Sequence, residues 1–172
     1  MPLGFNKYTG GTAMPEELSS SAQKVQAALK ELGYDYQVQE MPSATRTAPE
    51  AAATLGCQVD QIVKSLIFRT KHSGQAVLVA ASGSNRVNEK ALAARLGEPL
   101  ERATPEFVRQ QTGYAIGGVP PLGYANPVLA FIDEDLLQYN RVYAAGGTPH
   151  TIFGLAPADL VKMTGGEVIN IK

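Results

Sequence analysis

Lys64 is the residue whose type fits its surroundings least. It interrupts a run of apolar side chains, with Ile62-Val63 before it and Leu66-Ile67 after it. Lysine is seldom fully buried without a partner. Strand alternation would turn it towards solvent, with its aliphatic stem lying on the sheet. The alternative is a cation at the mouth of a sheet-lined cavity, where it would bind a phosphate or a carboxylate.

The segment GGVPPLG, residues 117–123, is the second candidate. Glycines let a backbone approach a ligand closely, and the two prolines stiffen the chain and remove two N–H groups. Such a loop can hold its few free N–H groups in fixed directions, as a cradle for an oxyanion or another anion. A tight structural turn is the alternative. The spacing is not the glycine pattern of dinucleotide-binding proteins.

Two further segments contain polar residues at positions where ligands often bind. Residues 82–86, SGSNR, follow one predicted strand and precede a predicted helix, where a phosphate can meet a helix N-terminus. Helix capping by Ser82 or Asn88 is the simpler interpretation. His150 follows Gly146-Gly147-Thr148-Pro149 at the start of a predicted strand and is a candidate for a pocket rim.

The remaining reactive side chains predict little chemistry. His72 lies in a polar turn, and its distance from His150 along the chain is not a metal-ligand spacing. Cys57 follows a predicted helix end, where no helix dipole would activate its thiol. The sequence therefore predicts no metal site and no cysteine nucleophile.

The elements that would position these residues are short and irregularly ordered. Helix signals, namely an N-cap or a proline start followed by a closing glycine, occur at 19–33, 47–56, 88–97, 104–113 and 157–165. Apolar runs typical of strands occur at 34–40, 61–69, 76–82, 128–133, 141–147, 150–155 and 167–172. We expect an α+β fold: one domain with a mixed, barrel-like sheet of six or seven strands and flanking helices.

Composition excludes several classes of protein. The 172 residues suit one domain, and 44% hydrophobic content is too high for a disordered chain. We expect residues 1–14 to form a flexible arm, residues 15–172 to form the domain, and the protein to be cytoplasmic. The net charge of −1 is unlike that of a strongly basic nucleic-acid binder. Residues 60–109, with eight basic and five acidic side chains, could still contact a phosphate-bearing partner.

The chain resembles the YbaK-like family, which includes the editing domain inserted in bacterial prolyl-tRNA synthetases and its free-standing relatives. The resemblance rests on six segments in order: TRTAPEAAATLG, QIVKSLIFR, VLVAASGSNRVNEKALAARLG, GYAIGGVPPLGY, FIDEDLL and AAGGTPHTIF. Its most diagnostic features are the strand lysine, Lys64, and the G-x-x-x-P loop of residues 117–121.

The resemblance implies hydrolysis of an aminoacyl ester at the 3′ end of a mischarged tRNA, without a metal or cofactor. Lys64 would hold the phosphate near the terminal adenosine. The loop formed by Gly117, Gly118 and Pro121 would position the ester carbonyl, and the terminal ribose hydroxyl would help to activate water. The substrate-binding residues implied in the same way are Thr45, Ser65, Ser82, Val119 and His150.

The implied partner is aminoacyl-tRNA, bound by its acceptor end, and an aminoacyl-tRNA synthetase is a second candidate partner; no membrane or DNA is expected. A pocket closed by a stiff loop acts as a size filter, which favours Ala, Ser, Thr or Cys on the wrong tRNA, tRNA(Pro) or a related one. Two alternatives remain open: a non-catalytic tRNA- or synthetase-binding module of the same fold, and an unrelated small-molecule esterase.

Overall fold

The computed structural model describes residues 18–42, 45 and 47–172, so the arm expected at residues 1–14 lies outside the described residues. The helices are α1 Ser20–Glu31, α2 Ala48–Leu55, α3 Glu89–Leu96, α4 Pro105–Thr112 and α5 Pro157–Thr164. The strands are β1 Gln39–Glu40, β2 Val63–Thr70, β3 Ala76–Ser82, β4 Leu100–Arg102, β5 Leu129–Asp133, β6 Val142–Ala145, β7 Thr151–Leu155 and β8 Glu167–Ile169. Two 3₁₀-helices span Val59–Gln61 and Glu134–Gln138. None of the described helices has the length and hydrophobicity needed to span a bilayer.

The helix starts follow the capping residues predicted from the sequence. A side-chain oxygen accepts a hydrogen bond from a first-turn backbone N–H at Ser19, Thr47, Asn88 and Thr104. At α2 the cap is reciprocal, because Glu50 also accepts from the Thr47 backbone N–H. These local signals are confirmed because capping depends on residues three positions apart and needs no tertiary contact.

The strands form two sheets, so the expected barrel-like single sheet is wrong. The larger sheet has the order β4-β2-β3-β5-β8, and the smaller has the order β1-β7-β6. β3 pairs in parallel with β5, and β5 with β8, whereas the other pairs are antiparallel. An isolated bridge between Ile62 and Tyr143 links the two sheets. Residue patterns within single strands do not specify whether a sheet closes on itself, which is why the sequence did not exclude a barrel.

Two strand assignments also differ from expectation. Of the run 34–40, only Gln39–Glu40 is paired, because Tyr34 and Tyr36 instead pack against the core as aromatic neighbours. The strand Leu100–Arg102 was not predicted, because its three residues are too short and too polar to produce an apolar pattern. It forms through the edge pairing of Phe68, Arg69 and Thr70 on β2.

The larger sheet is covered on both faces, which explains why every residue of β3 is buried. One face, with Leu78 and Ala80, joins the main core beneath α1, α4 and α5. The other face, with Val77, Val79 and Ala81, packs against Leu92 of α3 and the C-terminal Ile171. A strand buried on both faces reads as a continuous apolar run.

Two tyrosine hydroxyls, those of Tyr114 and Tyr124, are buried without a hydrogen-bond partner in the described part of the chain. Burial raises the pKa of both phenols, and the neighbouring Tyr114 raises that of Tyr124 further. A raised pKa means that the folded protein holds these protons more tightly than the unfolded chain. The contribution of these two protonated tyrosines to the stability of the fold is therefore complete below the unfolded tyrosine pKa of about 10, and it is lost as the pH rises above that value.

We expect the free energy of unfolding to fall above pH ~10 by up to about 1.4 kcal/mol per pH unit for each of these tyrosines. Urea denaturation between pH ~8.5 and ~11.5 measures the slope. Tyr124→Phe should remove one residue's share of it. An unchanged slope in Tyr124→Phe would contradict the prediction.

Candidate active site

The candidate site lies at the edge of the larger sheet where β2 begins and both β3 and β5 end. Because β2 runs antiparallel to β3, its first residues lie beside the last residues of β3, with Val63 opposite Ser82 and Lys64 opposite Ala81. The parallel pairing of β3 with β5 brings Asp133, the last residue of β5, to the same edge. Polar groups from three strands therefore lie together at this edge of the sheet.

A cavity of about 460 Å³ opens at this edge, between the two sheets. Its walls come from the start of α2, the start of β2, Gly83, the 116–119 loop, and strands β6 and β7. The lining side chains and backbone belong to Thr45, Thr47, Ala48, Pro49, Ala51, Ile62, Val63, Lys64, Ser65, Leu66, Gly83, Ile116, Gly117, Val119, Tyr143, Ala145, Pro149, Thr151 and Ile152. The cavity is mostly apolar, with a few convergent polar groups, as small-molecule sites generally are.

Lys64 is half-buried in the wall of this cavity. Its Nζ donates a hydrogen bond to the backbone carbonyl of Asn85 at 2.6 Å, which leaves two further donors on the ammonium. Burial lowers the pKa of Lys64, the positive charges of Arg86 and Arg102 lower it further, and the carboxylate of Asp133 opposes the shift. The ammonium therefore lies in a cationic environment that favours an anionic ligand.

The 116–119 loop faces the same cavity. Gly117 has φ +90°, a conformation that side-chain-bearing residues rarely adopt. Gly118 has no room for a side chain, because a Cβ there would lie 2.6 Å from the Cα of Thr148. Its N–H donates to the carbonyl of Ala115 at 3.0 Å. Those of Gly117 and Val119 have no acceptor among the described residues and are the loop's available donors.

Ser65 contributes a second uncommitted polar group. Its Oγ is buried and has no hydrogen-bond partner in the part of the chain that the structure describes. It lies between the main cavity and an adjoining one of about 170 Å³, whose walls include Ile67, Phe68 and Val108. A ligand that reaches this position can satisfy the hydroxyl.

The structure brings five of the nine predicted site residues to the cavity wall: Thr45, Lys64, Ser65, Gly117 and Val119. Gly118 lies in the same loop, with its backbone against Thr148. The other three lie elsewhere. Pro121 lines a separate cavity with Tyr124 and Met163. Ser82 is 1% exposed, and its Oγ donates to the carbonyl of Asp60. His150 is exposed and lies between two lining residues, without lining the cavity itself.

Sequence reasoning missed several residues of this region. Tyr143, Pro149 and Thr151 reach the cavity only because the smaller sheet folds over the larger one. Asn85 lies in the 82–86 segment, which was considered as a phosphate-binding turn before a helix. However, α3 begins only at Glu89, and the segment instead supplies the carbonyl that binds Lys64. Among the described residues, no group of three His, Cys, Asp or Glu side chains could hold a metal ion.

Several known proteins are similar to this chain in sequence or in fold. A crystal structure of a protein with the proposed role of a trans-editing enzyme for prolyl tRNA synthetase is 49% identical, with a TM-score of 0.86 over 90% of this chain and 98% of that one. EbsC of Enterococcus faecalis, proposed as a Cys-tRNA(Pro)/Cys-tRNA(Cys) deacylase, is 26% identical over 73% of this chain and 76% of its own. Proline–tRNA ligase of Thermosipho melanesiensis is 33% identical over 59% of this chain but only 18% of the ligase.

The family match is broad. Residues 42–163 match the family described as the aminoacyl-tRNA editing domain, and they include the strand lysine, the glycine-rich loop and strands β2 to β7. The resemblance to the YbaK-like family is thereby confirmed. The chain belongs to the aminoacyl-tRNA editing domain family.

Proposed function

We propose that this chain is a trans-editing hydrolase that removes a small non-cognate amino acid, of the Ala, Ser, Thr or Cys class, from mischarged tRNA(Pro) or a related tRNA. The observation that carries the proposal is the placement of Lys64 and the two uncommitted loop N–H groups around one cavity. Membership of an editing-domain family supports deacylation as the reaction.

In this proposal Lys64 binds the phosphate next to the terminal adenosine through the two donors that Asn85 leaves free. This contact fixes the ester relative to the loop. The N–H groups of Gly117 and Val119 then stabilise the oxyanion that forms when water adds to the ester carbonyl. The bond between the carbonyl carbon and the ribose oxygen breaks, and the ribose oxygen takes up a proton. The products are a free amino acid and an uncharged tRNA.

A nucleophilic side chain is not required for this chemistry. An aminoacyl ester is already activated, so positioning and carbonyl polarisation are sufficient to accelerate attack by water. The neighbouring 2′- or 3′-hydroxyl of the ribose is suitably placed to orient that water. A stiff loop over the cavity would act as a size filter, and such a filter admits small side chains but cannot reject groups smaller than those it admits.

The test is a panel of tRNA(Pro) charged with Ala, Ser, Thr, Cys or Pro, together with simple esters of the same amino acids. Hydrolysis of one or more of the first four, with Pro-tRNA(Pro) spared, is the expected result. Binding of tRNA without hydrolysis would replace the proposal with a non-catalytic binding module. Hydrolysis of the simple esters alone would indicate a small-molecule esterase.

The affinity for tRNA should depend on salt, but not steeply. Three cations, Lys64, Arg86 and Arg102, interact electrostatically at the candidate site. Three phosphate contacts on a single-stranded end predict a slope of about −2 for log K against log salt concentration. Equilibrium binding between about 50 and 300 mM salt measures it. A slope of about −6 or steeper would mean that a larger basic surface binds the tRNA.

A further inference from the structure

The turn that follows β3 connects Lys64 to the end of β5. The backbone carbonyl of Asn85 accepts the hydrogen bond from Lys64 Nζ at 2.6 Å. The side-chain Nδ2 of the same asparagine donates to Asp133 Oδ2 and to Asp135 Oδ2, each at 2.8 Å. Asn85 therefore contacts the candidate phosphate anchor through its backbone and two carboxylates through its side chain.

Asp133 is buried and held in place by several hydrogen bonds. It is fully buried, at 0% exposure, and its Oδ2 also accepts from the backbone N–H of Ser82 at 2.9 Å. Its Oδ1 accepts from the backbone N–H of Asp135 at 2.9 Å. A buried carboxylate is costly unless such donors surround it. Three N–H groups converge on Asp133, which joins the ends of β3 and β5 to the turn between residues 82 and 86.

We propose that Asn85 and Asp133 are positioning residues for Lys64: Asp133 holds the Asn85 side chain, and this holds the carbonyl that directs the lysine ammonium into the cavity. The assignment rests on the proposed function, since it concerns the group that binds the tRNA phosphate. Neither residue needs to touch the substrate.

Flexibility, charge repulsion and burial all act against a charged, well-placed ammonium at Lys64. A lysine side chain has four rotatable bonds, so a free ammonium would spread over many positions instead of facing one phosphate. The charges of Arg86 and Arg102 repel it, and burial disfavours its protonated form. The Asn85 carbonyl and the Asp133 carboxylate are the groups that counteract these effects at this edge of the sheet.

A double-mutant cycle tests the assignment. Single-turnover deacylation of mischarged tRNA is measured for the wild type, Asn85→Ala, Lys64→Ala and the double variant. Asn85→Ala keeps the backbone carbonyl but loses the side chain that holds it, so we expect the rate to fall by roughly tenfold or more through misplacement of Lys64. In the Lys64→Ala background the same change should cost less than about twofold, because residues that act through one another are not additive.

Ser84→Ala is the matched control. It removes a side-chain hydrogen bond from the same turn, to Asp60, but leaves the contacts of Asn85 intact. It should retain the wild-type rate. Asp133→Asn is a second variant, because a single amide oxygen cannot accept from all three donors. If it folds, its loss of activity should likewise disappear in the Lys64→Ala background.

The possible outcomes separate the two proposals. If Asn85→Ala lowers the rate equally with and without Lys64, or does not lower it at all, the positioning role is wrong and the phosphate anchor stands. If Lys64→Ala itself deacylates at the wild-type rate, the anchor is wrong, and the positioning role is overturned with it.

Discussion

A folded Lys64→Ala protein should deacylate mischarged tRNA about 10–150-fold more slowly than the wild type, since a charge-assisted hydrogen bond contributes roughly 1.5–3 kcal/mol. Misplacement of the ester would add to this loss. Lys64→Arg should recover only part of the rate, because a broad planar guanidinium replaces a compact ammonium beside the Asn85 carbonyl. Single-turnover kinetics with saturating enzyme measure the chemical step directly.

Lys71→Ala provides the matched control. It removes the same charge just beyond the opposite end of β2, where the side chain is exposed. We expect wild-type turnover from it at equal salt. If Lys71→Ala were as slow as Lys64→Ala, the effect would be one of overall charge, and a specific phosphate contact would be ruled out.

The second large effect is expected from Gly117→Ala, with a loss in turnover of about 100–1000-fold, the usual range for removing an oxyanion donor. The new methyl group has room, because the nearest atom to its position is Pro149 Cγ at 3.6 Å. The strain lies in the backbone, whose φ of +90° costs an alanine about 1–2 kcal/mol. Relief of that strain would rotate the Gly117 and Val119 N–H groups away from the ester carbonyl.

Gly123→Ala is the control that distinguishes the effect of backbone strain on stability from a direct effect on catalysis. Gly123 lies in the same loop region with φ +77°, and its nearest neighbours are at an ordinary contact distance of 3.5 Å. Both variants should lose similar thermal stability, whereas only Gly117→Ala should lose turnover beyond that loss. Equal activity in the two variants would mean that the loop is purely structural.

The sequence was most informative where structure is set locally. Thr47 and Asn88 cap helices as predicted, because their acceptors and donors are neighbours along the chain. The β2–β3 hairpin also forms where two apolar runs flank a polar turn. These features require only short-range patterns. They were sufficient to predict that Lys64 lies within a largely apolar strand.

Arrangement between distant elements was less predictable. The two sheets are linked by the bridge between Ile62 and Tyr143, residues far apart in the chain with no pattern that pairs them. The role of Asn85 was hidden for another reason: its contact with Lys64 uses a backbone carbonyl, which every residue type possesses. For Gly118 the residue type is visible in the sequence, but the reason for it is not. Its backbone approaches Thr148 too closely for any side chain, and only the fold identifies Thr148 as its neighbour.

The parallel pairing of β3 with β5 has a consequence for the order of folding. Residues 83–128 separate these strands, and the candidate loop lies within that crossover, whereas the opposite cavity wall comes from β6 and β7. Closing a connection of this length costs entropy before any contact compensates for it, so the local β2–β3 hairpin should form first. Pulse-labelling hydrogen exchange should therefore find the hairpin amides protected well before those of β5 and β7. The candidate cavity is then among the last parts of the domain to assemble, so in partly folded chains Lys64 is present before the walls of the cavity have formed around it.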